Sequence, residues 1–175
     1  TMERERRQFE IELLSRLYTG DDAISEFKAL WFFERGSKMQ SQLFKADFAI
    51  GHPKNWEESE NILNNLIRMD PTFLEPKVRL SKLYCLQGRF DDSLRLAQEV
   101  LELRPWHFVV LDTMVAVYTG KGDTDMAQMW ASRRLPTPSQ REKRKLWVDR
   151  ALRDAKEVLA RLEEQLSRDF FGPLD

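Results

Sequence analysis

A segment of this chain returns, with changes, every 34 residues. The best preserved copy spans 74–107, and others lie at about 38–71 and 108–136. The aligned positions include Trp56/Phe90, Pro71/Pro105, Leu80/Met114, Tyr84/Tyr118 and Gly88/Gly122. A fixed period of this length is typical of repeat proteins, in which each copy buries its apolar face only against its neighbours. The period therefore constrains the fold more than any other feature of the sequence.

Each copy is predicted to contain two helices. In the best copy Leu80 and Tyr84 lie four residues apart, on one face of a first helix. Gly88 is expected to end that helix, because a left-handed residue after a helix needs no Cβ. Leu94, Ala97 and Leu101 follow at helical spacing along a second helix. Pro105 closes the copy, since proline cannot continue a helix interior.

This pattern resembles the tetratricopeptide repeat, a helix–turn–helix unit of 34 residues. The positions of 74–107 that match the signature are Leu80, Ser81, Tyr84, Gly88, Phe90, Ser93, Val100 and Pro105. Two positions depart from it, because Lys77 replaces the usual tryptophan and Ala97 a late aromatic residue. The resemblance implies an all-α fold: a helical solenoid of about three to four repeats plus a long C-terminal capping helix.

The flanking segments complete the expected organisation. Residues 1–36 are predicted to form a degenerate first repeat, 37–136 three repeats, 137–169 a long helix and 170–175 a tail. Thr137 or Ser139 is the expected cap of the long helix. Its predicted apolar seam is Val148, Leu152, Ala155, Leu159, Leu162 and Leu166. Two interpretations of this helix are open: it covers the last repeat, or it forms a coiled-coil arm to a partner or a second copy.

The resemblance also implies a concave groove that holds an extended peptide or a helix of a partner protein. The repeat register places five residues there: Phe44, Phe48, Arg79, Lys82 and Asp112. For the two phenylalanines, packing in the core is the alternative. The family's carboxylate clamp for chaperone tails is not matched, because Phe44 and Phe48 occupy its Lys and Asn positions and Arg79 another Asn position.

The stretch from Arg133 to Lys156 holds nine basic and three acidic residues. Its predicted basic surface comprises Arg141, Lys143, Arg144, Lys145, Arg150 and Arg153. Three interpretations are open: a solvated helix face, a site for an acidic protein, or a site for RNA or an anionic membrane. The net charge of the whole chain is −1, which argues against a general nucleic-acid binder.

No residue pattern indicates catalysis, a metal site or a cofactor. His52 and His107 lack neighbouring ligands at metal spacing, and nothing near the single cysteine, Cys85, supplies a base. A lone cysteine allows no internal disulfide and fits a reducing intracellular compartment. The longest apolar run, Ala29–Phe33, is far shorter than a transmembrane helix.

The sequence therefore predicts a non-catalytic scaffold for protein–protein interaction: an adaptor, an assembly factor or an accessory subunit of a larger complex. The alternative is a helical-repeat nucleic-acid binder that uses the basic C-terminal helix. The joint from Arg104 to Phe108 and the helical tail are similar to repeat proteins of plant and algal plastids. With the threonine at position 1, this similarity implies an organelle such as the plastid, and otherwise the cytoplasm.

Overall fold

The computed structural model describes residues 2–172, and within them it contains helices and turns but no strand. The prediction of an all-α fold is therefore confirmed. The nine α-helices of this range are α1 (Met2–Ser15), α2 (Asp22–Phe33), α3 (Gly36–Ile50), α4 (Trp56–Met69), α5 (Glu75–Leu86), α6 (Phe90–Leu103), α7 (Phe108–Gly120), α8 (Thr124–Ala131) and α9 (Arg141–Phe171). None of these helices is long and apolar enough to cross a membrane.

The described residues divide into two compact units. The central unit comprises 28–102 and 107–134, and the terminal unit comprises 2–27, 103–106 and 135–172. Residues 2–27 are grouped with the C-terminal helix α9 in the terminal unit. The chain passes from the terminal to the central unit within α2.

The central unit contains two helices for each predicted copy: α3 and α4, α5 and α6, α7 and α8. Helix α5 contacts α3, α4 and α7. The first helices of the second and third pairs end alike, with Gly88 and Gly122 at φ +74° and +75°. In both turns the backbone amide of the residue after the glycine donates to a tyrosine backbone carbonyl, that of Tyr84 at 2.8 Å and that of Tyr118 at 3.0 Å. This is the left-handed helix end expected at Gly88.

Two buried serines, 34 residues apart, join the helices of the first two pairs. The Ser59 hydroxyl donates to the Ala46 carbonyl at 3.0 Å, and the Ser93 hydroxyl donates to the Ser81 carbonyl at 2.6 Å. A small side chain at this position lets two helices approach closely, and its hydroxyl is satisfied by the partner backbone. The first two sequence copies therefore share the same hydrogen bond between their paired helices.

The terminal unit is built around α1 and α9, which run antiparallel. Arg4 near the start of α1 pairs with Glu163 at 2.8 Å, and Tyr18 just after α1 donates a hydrogen bond to Asp149. The 103–106 segment belongs to the same unit. Its Arg104 forms an ion pair at 2.8 Å with Glu10, and both side chains are almost fully buried.

The long helix differs from its prediction in start and in phase. It begins at Arg141, since the Thr137 amide bonds the Gln140 side chain in the turn before it. Its fully buried stripe is Arg144, Val148, Ala151, Ala155 and Val158, whereas Leu152, Leu159 and Leu162 are half-buried and Leu166 is exposed. The two alanines let α1 pack closely, and the leucines lie at the edges of the contact.

Candidate functional site

A cleft of about 320 Å³ opens in the central unit between helices α2, α3, α5 and α7. Its lining combines charged and apolar side chains: Lys28, Trp31, Asp47, Ile50, Glu75, Val78, Arg79, Lys82 and Val109. The volume is at the lower end of the range of ligand pockets in proteins. Because three cations and two carboxylates share this lining, its electrostatics depend on which of them are paired.

Arg79 of α5 is fixed in place on three sides. Its Nε donates to Asp47 Oδ1 at 2.8 Å, its Nη1 donates to Glu75 Oε2 at 2.6 Å, and its guanidinium lies 5.7 Å above the Phe32 ring. No residue of the described chain accepts from Nη2. Arg79 therefore presents one preoriented donor group while its own charge is largely balanced.

A second layer holds Glu75 in position. Its Oε1 lies 3.0 Å from Nε2 of His107, whose ring is fully buried and stacks on Trp31 at 4.1 Å. The Val110 amide donates to His107 Nδ1 at 3.4 Å. Since Nδ1 accepts, Nε2 carries the ring proton and donates it to Glu75. The cleft floor is thus a continuous hydrogen-bonded chain from Val110 to Asp47.

The two lysines of the cleft differ from Arg79 and the two carboxylates because they form no ion pair. Lys28 and Lys82 are exposed, and neither forms a salt bridge or a side-chain hydrogen bond with any residue of 2–172. Both carboxylates of the lining are already engaged by Arg79 and His107. The lysines therefore leave the cleft with uncompensated positive charge beside the apolar side chains of Ile50, Val78 and Val109.

The cleft brings together two of the five predicted groove residues, Arg79 and Lys82. Phe44 and Phe48 lie on α3 outside the lining and are 65% and 62% exposed. The Phe48 ring packs on His52 at 4.8 Å. Asp112 is exposed on α7, also outside the lining, and lies 3.6 Å from Arg134.

The predicted basic surface is present in part. Arg141, Lys143, Lys145, Arg150 and Arg153 are exposed on α9, and none of them forms a salt bridge within the described residues. Arg144 does not belong to this surface, because its side chain is only 1% exposed. It donates to the carbonyls of Leu17, Gly20 and Pro136 and to the Asp21 carboxylate, and so ties the turn after α1 to the start of α9.

The three residues considered for chemistry, Cys85, His52 and His107, differ in their surroundings. Burial raises the pKa of the Cys85 thiol, which makes its thiolate form less accessible. His107 uses both ring nitrogens within the fold, and His52 Nδ1 lies 3.0 Å from the Phe48 carbonyl oxygen. In the range 2–172, no three His, Cys, Asp or Glu side chains come together to hold a metal ion.

Sequence reasoning missed Lys28, Trp31, Asp47, Glu75 and the role of His107 in this site. One signal was readable, because Glu75 precedes Arg79 by four residues, the spacing at which helical side chains pair. The link between Glu75 and His107 joins the starts of successive first helices, and it needed the three-dimensional stacking of the copies. Comparisons with protein-family models, with curated proteins and with solved structures give no match to this chain.

Proposed function

We propose that this chain is a non-catalytic scaffold for protein–protein interaction, an adaptor, assembly factor or accessory subunit of a larger complex. Its binding site is the cleft of the central unit, which takes one segment of a partner protein. The observation that carries the proposal is the pair of exposed lysines at the cleft, Lys28 and Lys82, which form no salt bridge with any described residue.

The bound segment carries carboxylates. Lys28 and Lys82 offer ammonium groups, and Arg79 offers its Nη2 group from a position already fixed by Asp47 and Glu75. A preorganised donor loses little conformational entropy when it binds an acceptor. An acidic side chain therefore gains both charge compensation and a directed hydrogen bond in this cleft.

The same segment carries apolar side chains. Ile50, Val78 and Val109 contribute apolar surface inside the cleft. Outside it, Phe44 and Phe48 lie one helical turn apart on α3, the helix that also supplies Asp47, and both rings are mostly exposed. Such large exposed aromatic side chains are typical anchors for a partner. An amphipathic helix or an extended segment with acidic and apolar positions fits this arrangement.

The tetratricopeptide assignment belongs to the proposal. It is supported by helix pairs in each 34-residue copy, by the matching Gly88 and Gly122 turns, and by the matching Ser59 and Ser93 contacts. In proteins with this repeat the first helices of each unit line the concave binding face. Helices α3, α5 and α7 are the first helices of the three pairs, and the contribution of each to the cleft supports this assignment.

The test is quantitative affinity purification with the Lys28→Glu/Lys82→Glu variant. Reversing both charges leaves the hydrogen-bonded floor intact, so we expect an unchanged circular dichroism spectrum. Partners captured through the cleft should fall about tenfold or more in abundance relative to the wild type. Mass spectrometry with isotope-labelled samples measures the ratio for each partner.

The matched control is Lys38→Glu/Lys54→Glu, which reverses two other exposed lysines of the same unit and should capture partners as the wild type does. Equal recovery of every partner by the cleft variant and by this control contradicts the assignment of the cleft. Turnover of a substrate that requires His52, His107 or Cys85 contradicts the non-catalytic assignment.

A further inference from the structure

The outer side of α9 carries a narrow basic stripe that the proposed cleft does not use. Lys143, Leu146, Arg150 and Arg153 follow one another at intervals of three, four and three residues, which places them on one side of the helix. The four side chains are exposed, Leu146 by 69%. None of the three cations forms a salt bridge within residues 2–172.

The opposite side of α9 is buried, and this packing fixes the helix that carries the stripe. Arg144, Val148, Ala151 and Ala155 are buried on the opposite side of the same turns. Arg144 alone donates four hydrogen bonds to the chain around Leu17, Gly20 and Pro136. A partner therefore meets cations whose backbone positions are already fixed, which lowers the entropy lost on binding.

The charges around the stripe select the kind of anion. Six exposed basic side chains lie from Arg141 to Glu157, and the exposed carboxylates Glu142 and Glu157 and the half-buried Asp154 lie among them. A membrane or a nucleic acid presents negative charge everywhere and would meet these carboxylates together with the cations. A protein helix can place its own carboxylates only opposite Lys143, Arg150 and Arg153.

We propose that this stripe binds an acidic α-helix of a partner protein, with carboxylates facing Lys143, Arg150 and Arg153 and an apolar side chain on Leu146. Intervals of three and four residues are the period at which two helices pack along a common seam. The stripe is about 15 Å long at 1.5 Å per residue, so it matches about three turns of the partner. The stripe shares no residue with the cleft and adds a second contact to the proposed scaffold.

The experiment uses the full chain and four probes. The first is a fluorescent alanine-rich helical peptide with three glutamates and one leucine at the spacing of the stripe, and the second has the same composition with the glutamates spread around the helix. Poly(U) RNA and phosphatidylserine vesicles are the third and fourth. Affinities are measured by fluorescence anisotropy for the first three and by co-sedimentation for the vesicles.

We expect the stripe peptide to bind about tenfold or more tightly than its scrambled form. The Lys143→Glu/Arg150→Glu/Arg153→Glu variant should lose that binding, while Lys28→Glu/Lys82→Glu should retain it. Retention by the cleft variant separates failure of this inference from failure of the proposed function. Equal binding of both peptides, absence of peptide binding, or preference for RNA or vesicles that the triple variant abolishes would each overturn the proposal.

Discussion

Arg144 shows how far a single residue can be misjudged from its neighbours in sequence. It lies in a run of charged residues, Arg141 to Lys145, and composition predicts a solvent-exposed position. The structure buries it, because its partners lie at Leu17, Gly20 and Asp21, more than 120 residues away along the chain. Gly88 was predictable, in contrast, since the demand on its backbone comes from the helix that it ends.

Replacing Arg144 by methionine should lower the free energy of unfolding by about 3–5 kcal/mol, because three backbone carbonyls and one carboxylate lose their buried donor. Urea titration followed by circular dichroism measures the change. The neighbouring Lys143→Met variant is the control and should stay within about 0.5 kcal/mol of the wild type, as its side chain is exposed. Equal stability of the two variants would show that the hydrogen bonds of Arg144 contribute nothing.

At the scale of elements, helix pairs are easier to predict from sequence than the phase of a helix. The paired helices of the copies follow from apolar spacing and from glycine and proline positions, which act locally. The predicted buried side of α9 is wrong because a search for large apolar residues favours Leu152 and Leu159. The packing with α1 instead selects small residues, Ala151 and Ala155, which determine how near two helices can lie.

Two of the turns between paired helices are predicted to differ in their response to alanine. Gly88→Ala should lower the free energy of unfolding by about 1–2 kcal/mol, because φ +74° places a Cβ against the backbone. Gly51, in the corresponding turn of the first pair, has φ −65°, and Gly51→Ala should change stability by less than about 1 kcal/mol. Thermal and urea unfolding of both variants provide the measurement, and a destabilisation of equal size would contradict this account.

At the scale of the whole molecule, the sequence predicted repeats in the middle of the chain but not the association of its ends. The prediction for residues 1–36 is a degenerate repeat, and it contains no indication that α1 packs along α9 in a unit that also includes 103–106. No local sequence pattern predicts this pairing, because the apolar side of α1 could pack against any other apolar helix face. The same reason explains the missed members of the cleft, since its lining comes from four separate helices.

Truncation before Arg141 should therefore remove more helix than the 31 residues of α9. Helix α1 loses its partner, and a helix of 14 residues is marginal on its own in water. Circular dichroism should show the additional loss, and limited proteolysis should cut within α1. Truncation before Glu164 is the control, and it should remove only the helical signal of the residues that are deleted. Retention of α1 in the shorter chain would contradict its dependence on α9.

The pairing of α1 with α9 has a consequence for synthesis on the ribosome. Helix α1 ends at Ser15, and α9, the helix that packs along it, begins more than 120 residues later. At ordinary elongation rates this interval lasts on the order of ten seconds. The intervening helix pairs bury their own side chains from near neighbours and can fold as they emerge. Nascent-chain chaperones that bind exposed apolar side chains can therefore reach α1 throughout this interval, until α9 has been synthesised.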